Sequence, residues 1–111
     1  MTQRPLDLVQ GTLDLLVLGA LTAGPRHGYG VMRFIRETSG DELQIEEGAL
    51  YPALHRLEAR RLIEAEWGRS ENQRRAKFYR LTADGRQRLR RDAQSWRRYV
   101  VAVGRILETA G

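Results

Sequence analysis

The stretch from Glu46 to Arg61, EEGALYPALHRLEARR, decides how this chain is to be read. Leu50, Ala53, Leu54 and Leu57 recur at i, i+3, i+4 and i+7, the spacing of a helix with one buried face. Tyr51, His55, Arg56 and Glu58 fall outside that stripe and are left to face solvent or a partner. A short helix with a packed back and an aromatic, imidazole and guanidinium front is the physical form of a helix that reads a DNA groove. Pro52 fixes where it starts. A proline ring is tolerated in the first turn, whose amides have no helical acceptor, so the helix begins near Gly48. Tyr51 and His55 then belong to its N-terminal half, the end that reaches base edges in helix-turn-helix proteins.

Downstream, Leu62, Ile63, Ala65 and Trp67 form a strand-like run, with Trp67 assigned to the core. The basic segment GRSENQRRAK follows, and then FYRL, where Tyr79 and Leu81 alternate with Phe78 and Arg80 as in a strand buried on one side. Gly68, Ser70, Asn72 and Gln73 are turn formers, flanked by Arg69, Arg74, Arg75 and Lys77. A reading helix followed by a basic hairpin is a winged helix-turn-helix. Thr82 then caps a last helix from about Ala83 to Glu108, roughly 39 Å long. Leu89, Ala93, Trp96, Val100, Val103 and Leu107 are spaced along it at the 3.5-residue repeat of a coiled-coil seam. A small domain does not need so long a helix for its own core, so this one is predicted to pair with a second copy. The alternative is a helix folded back over the domain, which the arginines on its opposite face disfavour because they need solvent.

Upstream, Thr12 caps a helix predicted to run to about Ala23, with Leu13, Leu16, Val17, Ala20 and Leu21 buried and Gly24 and Pro25 stopping it. A second helix, about Gly28 to Thr38, carries Val31, Phe34, Ile35 and Thr38 at helical spacing. Leu43, Gln44 and Ile45 suggest a short strand. Near the start, Leu6, Leu8 and Val9 are apolar without an evident packing partner. The expected fold is mainly α with a small β-hairpin wing. The expected division is a winged-helix DNA-binding domain over residues 1–82 and a C-terminal dimerisation helix over 83–111.

Composition narrows the class of function. At 111 residues, 41% hydrophobic and 30% charged, the chain can bury one modest core. It has no cysteine, which excludes disulfides and thiolate metal sites. The longest apolar stretch, Leu13 to Ala23, contains Asp14 and is too short to span a bilayer, so a cytoplasmic protein without membrane association is expected. The net charge of +5 is unevenly spread: from Arg69 to Arg91 nine Arg or Lys face only Glu71 and Asp84, a local excess of +7. Such a patch releases counterions on meeting a polyanion, so nucleic acid is the natural partner.

These pieces together resemble the PadR family of transcriptional regulators. The matching segments are GTLDLLVLGAL from Gly11 to Leu21, GPRHGYGV from Gly24 to Val31, GALYPALHRLEARRLI from Gly48 to Ile63, Trp67, and KFYRLTADG from Lys77 to Gly85. One position departs from the pattern: after Ala59, where such proteins commonly have glycine, stand Arg60 and Arg61. The resemblance implies a homodimeric winged-helix repressor on a palindromic operator in double-stranded DNA, released by a small molecule. It also implies DNA contacts from the start of the second helix, from the recognition helix and from the wing.

The candidate DNA-binding residues are His27, Tyr29, Tyr51, His55, Arg56, Arg69, Arg74, Arg75 and Lys77. His27 and Tyr29 stand at a helix N-terminus suited to a phosphate oxygen, or they are packing residues. Arg56 and His55 are the candidates for base edges, since the arginine fork matches guanine. The wing cations suit phosphates or the minor groove. Trp96, beside Ala93 on the seam, is either plain core or one wall of a pocket for a small aromatic effector. No catalytic residue, cofactor or metal site is expected: His27 and His55 lie on different elements without ligand spacing, and Asp41, Glu42, Glu46 and Glu47 read as a hydrophilic loop leading into a helix N-terminus. Two other classes fit the same features. One is a winged-helix protein-interaction module without DNA binding; the other is a structured-RNA binder.

Overall fold

A computed structural model describes Pro5, Leu6, Leu8 and residues 11–111; Val9 lies outside the described residues. Seven elements follow one another: α1 Leu13–Ala20, β1 Arg26–His27, α2 Gly28–Thr38, α3 Glu47–Ala59, β2 Ile63–Arg69, β3 Arg75–Leu81 and α4 Ala83–Thr109. The fold is mainly helical, with an antiparallel hairpin and a long C-terminal helix. The particle measures 52 × 38 × 22 Å.

Apolar spacing dictates the core. Val17, Leu18, Ala20 and Leu21 of the first helical segment, Val31 and Ile35 of α2, and Leu50, Ala53, Leu54 and Leu57 of α3 are all buried. Ile63, Tyr79 and Leu81 of the hairpin close the cluster, and Leu13, Leu16, Phe34 and Leu89 pack at its edge. Each fully buried leucine contributes on the order of 2 kcal/mol by removing apolar surface from water, so the four stripe positions of α3 hold that helix more firmly than its propensity does.

α1 ends at Ala20, three residues before the expected stop. Leu21 and Thr22 turn in tighter i→i+3 bonds, and the Arg26 guanidinium donates to the Ala20 carbonyl at 2.8 Å while lying 4.3 Å over the Phe34 ring. One arginine thus satisfies an orphan carbonyl of α1 and packs on α2, which lets the chain turn before it meets Gly24 and Pro25.

Leu43–Ile45 is not a strand; Ile45 is simply buried there. The third strand is Arg26–His27, which pairs antiparallel with β3 (Arg26 with Tyr79, His27 with Phe78), giving the order β1-β3-β2. Two residues beside a proline carry no alternation to read, so this strand exists only because β3 offers it an edge.

Two junctions set the direction of the neighbouring elements. α3 ends in a Schellman arrangement: Leu62 donates to the Leu57 carbonyl at 3.0 Å, Arg61 donates to Glu58 at 2.9 Å, and Arg61 holds φ +60°. The position after the helix that favours glycine is filled by an arginine in the left-handed region. At the start of α4, Thr82 accepts from the Gly85 amide at 3.0 Å and donates to the Arg61 carbonyl at 2.8 Å. Gly85 is buried with its Cα directly against the Leu62 backbone; a Cβ would lie 2.9 Å from the Leu62 carbonyl carbon and closer still to its oxygen. The first turns of α4 are therefore seated on the core through Gly85 and Leu89 and beside α1. The distal half runs free, with Tyr99, Val100, Val101, Ile106 and Leu107 exposed.

Candidate nucleic-acid interface

The hairpin sorts its side chains by sheet alternation. Ile63 and Leu81 are buried partners, so Ala65, Trp67 and Arg69 with Tyr79, Lys77 and Arg75 share their face, and Glu64, Glu66 and Gly68 with Arg80, Phe78 and Ala76 take the other. The first face begins in the core beneath α3 and continues outward as Trp67, Lys77, Arg69 and Arg75. On the second, Arg80 is neutralised by Glu64 at 2.8 Å and Glu66 at 3.8 Å. The wing's uncompensated charge is thus gathered on the side of the recognition helix.

α3 presents its own front beside it. Gly48, Pro52, His55 and Ala59 are exposed opposite the leucine stripe. Gly48 has nothing within 4 Å of where a Cβ would stand, so the backbone is bare at the start of this front. Tyr51, on one flank, is 38% exposed and lies against Gly28: a Cβ at Gly28 would come 2.7 Å from its hydroxyl. Glu58 on the same flank accepts from Lys77 at 3.2 Å, joining α3 to the wing. Arg56 is on the other flank, where it donates to Asp14 of α1 at 2.8 Å.

The start of α2 completes the face. His27 is the N-cap of α2; its Nδ1 accepts from the Gly30 amide at 3.0 Å, and its ring meets Phe78 edge-on at 5.3 Å. Tyr29 is 59% exposed. A cleft of about 410 Å³ lies between α2, α3 and the wing, lined among others by Tyr29, Arg33, Tyr51, Trp67, Arg74 and Arg75. At the tip, the Ser70 amide donates to Arg74 at 2.8 Å and the Gln73 amide to Ser70 at 2.9 Å, with Gln73 at φ +61°. Arg69 donates to the Gln73 carbonyl at 3.1 Å, and Arg75 stacks on Trp67 at 4.5 Å.

Of the residues selected from sequence, the fold brings His27, Tyr29, Tyr51, Arg74, Arg75 and Lys77 around one cleft. His55 stands on the adjacent α3 front, Arg69 braces the wing turn, and Arg56 is turned toward α1. Trp67 corrects an expectation: it is not core but 57% exposed at the wing. Apolar alternation could not reveal this, because the sheet face that is core at Ile63 has left the core two pairs later. Gly28 was missed as the residue that admits Tyr51, since a helix-starting glycine gives no such signal in sequence. Hydrogen bonding to Glu58 raises Lys77 above its usual 10.5, and burial raises Tyr79 above 10.0, so the wing cation is firmly charged near neutrality.

The model of the "Transcriptional regulator PadR-like family" matches residues 17–91, which take in α2, α3, the wing and the seated part of α4. The chain belongs to this family. A PadR family transcriptional regulator from Eggerthella lenta is 34% identical and superimposes with a TM-score of 0.74, covering 90% of this chain and 85% of that one. A PadR family transcription regulator from Clostridium difficile is 29% identical with a TM-score of 0.76, covering 87% and 99%. Among sequence relatives, an uncharacterized protein X of Lysinibacillus sphaericus is 31% identical over 90 residues, 81% of this chain and 83% of that protein. An uncharacterized 37.1 kDa protein in a transposon of Streptomyces fradiae is 41% identical over 97 residues, and the match spans 26% of its length. Membership makes the chain a DNA-binding transcriptional regulator and not an enzyme. Among the described residues no group of three or more His, Cys, Asp or Glu is placed to hold a metal ion, and no helix is long and apolar enough to cross a membrane.

Proposed function

We propose that this PadR-like regulator is a homodimeric, ligand-responsive repressor that reads a palindromic operator in duplex DNA. The observation that carries the reading is the gathering of α3's front, Tyr29, Tyr51 and the cations Arg74, Arg75 and Lys77 on one side of the wing, while Glu64 and Glu66 pair with Arg80 on the other. In this reading α3 lies in a major groove. Its small front residues let the helix backbone come close, and His55 reaches a base edge. Tyr29, Tyr51 and the α2 N-terminus hold phosphates, while Arg69, Arg74, Arg75 and Lys77 follow the flanking backbone or the minor groove. His27 acts through its cap. Arg56 reads bases only after leaving Asp14, so its first role is to brace α3 against α1.

Self-association rests on α4. Its distal half exposes Val100, Ile106 and Leu107 at 48 to 68%, on a helix too long to be covered by its own domain. The seam Leu89, Ala93, Trp96, Val100, Val103 and Leu107 would join two copies about a two-fold axis, which suits a palindrome. An effector site is supported by the groove of about 880 Å³ between α1, α2 and α4, whose walls include Leu16, Phe34, Leu89, Ala93 and Trp96. Trp96 stacks with Tyr99 at 6.0 Å and lies where a flat aromatic molecule bears on the angle of α4. Ligand and DNA would then be coupled reciprocally.

Selection of bound duplexes from a random library tests the proposal. Recovery of a palindrome supports it; no enrichment, or displacement of the duplex by a structured RNA competitor, contradicts it. Tryptophan quenching by aromatic compounds, retained in Trp67→Ala and lost in Trp96→Ala, tests the effector site.

A further inference from the structure

We infer that Trp67 is a DNA-facing residue of the wing whose indole positions Arg75 for the nucleic-acid backbone. The inference rests on the DNA-binding reading above and adds a residue to it. Trp67 occupies the third pair out from the core on the face that runs from Ile63 to Arg69, opposite Lys77. The residue is 57% exposed on the side of the wing where Lys77 reaches Glu58 of α3. It is not stranded on an outer surface: it walls the same cleft as Tyr29, Tyr51, Arg74 and Arg75.

The guanidinium of Arg75 lies 4.5 Å from the ring centroid. A free arginine loses rotamer freedom when it binds a phosphate; one already laid on an indole has lost much of it beforehand. Each remaining wing cation is differently placed. Lys77 is held by Glu58, Arg69 by the Gln73 carbonyl, and the Arg74 side chain makes no hydrogen bond, ion pair or ring contact among the described residues. Arg75 is therefore held in place by a ring, where Lys77 and Arg69 are held by hydrogen-bond acceptors that a phosphate would have to displace. Stacking leaves the guanidinium N–H edge open to donate, so the indole and a phosphate oxygen can hold Arg75 together.

The test is a double-mutant cycle on a duplex selected by the wild-type protein, with Trp67→Ala, Trp67→Phe, Arg75→Ala and the Trp67→Ala/Arg75→Ala double. Trp67→Ala is expected to weaken binding about threefold to tenfold, with Trp67→Phe recovering most of the loss. The double should bind about as Arg75→Ala does, because the indole acts through the guanidinium. Emission of the wild type should become protected from acrylamide when the duplex is added, and that protection should vanish in Trp67→Phe. Losses that multiply in the double overturn the positioning role. Unchanged affinity in Trp67→Ala, or no protection at Trp67, overturns the contact. Failure of the wild type to select any duplex overturns the DNA reading instead, which keeps the two failures distinct.

Discussion

Replacing Gly85 by alanine sets two effects of opposite sign against each other on one helix. Alanine is the better helix former by about 1 kcal/mol, which on an isolated α4 would stabilise. In the folded chain the new methyl would stand 2.9 Å from the Leu62 carbonyl carbon and nearer its oxygen, so the first turn of α4 must retreat by roughly 1 Å or more. That retreat strains the bonds that seat the turn: Thr82 amide to the Leu62 carbonyl at 3.1 Å, Gly85 amide to Thr82 at 3.0 Å and Thr82 hydroxyl to the Arg61 carbonyl at 2.8 Å. Overpacking costs about 1–3 kcal/mol, and each hydrogen bond lost about 1 kcal/mol. With about two of these bonds lost and the propensity gain subtracted, a net loss of about 2–4 kcal/mol is expected, a large part of the stability of a domain this small. Urea unfolding followed by far-ultraviolet circular dichroism, at one fixed protein concentration so that the proposed self-association is held constant, measures it. A variant as stable as the wild type, or more so, would refute the close seating of α4 on Leu62.

Arg61→Gly should raise stability by about 0.5–1 kcal/mol in the same assay, since the left-handed residue costs roughly 1–2 kcal/mol and glycine's added unfolded-state entropy returns part of it; a lower unfolding midpoint would count against the Schellman end of α3. Arg74→Ala combined with Arg75→Ala should weaken specific and nonspecific duplex binding alike and flatten the salt dependence by up to about two units of slope; an unchanged salt titration would remove the wing from the interface. Lys77 is raised by its hydrogen bond to Glu58 and Tyr79 by burial. Stability from a raised folded-state value is complete below the unfolded value and disappears as pH climbs through the folded one. Unfolding midpoints should therefore hold from pH 7 to about 10 and fall above it, less steeply in Glu58→Gln; identical profiles in the two proteins would deny the Glu58–Lys77 link.

Where periodicity was long and one-sided, the sequence was enough. The stripe of Leu50, Ala53, Leu54 and Leu57 gave α3 its buried face, Pro52 placed its start to within one residue, and the alternation of Tyr79 and Leu81 placed β3 with the right face inward. Thr82 was legible as a cap because a hydroxyl two residues before an acidic first turn has few other uses. Features made by meetings across the chain were not legible. β1 is two residues that become a strand only beside Phe78 and Tyr79. The early end of α1 depends on Arg26 reaching back six residues. Arg56 belongs, by sequence, to the polar front of α3, yet its direction is set by Asp14, which lies 42 residues away. Trp67 was misplaced for a related reason: residue type says that an indole prefers the interior, and only the register shows that the core has ended before the strand does.

The most direct measurement is a hydroxyl-radical footprint on the selected duplex, read on both strands. Two protected segments related by a dyad, with centres about one helical turn or 10 base pairs apart, are expected if two α3–wing faces are joined through α4. A single protected segment without a dyad, at protein concentrations that saturate the site, would contradict the account.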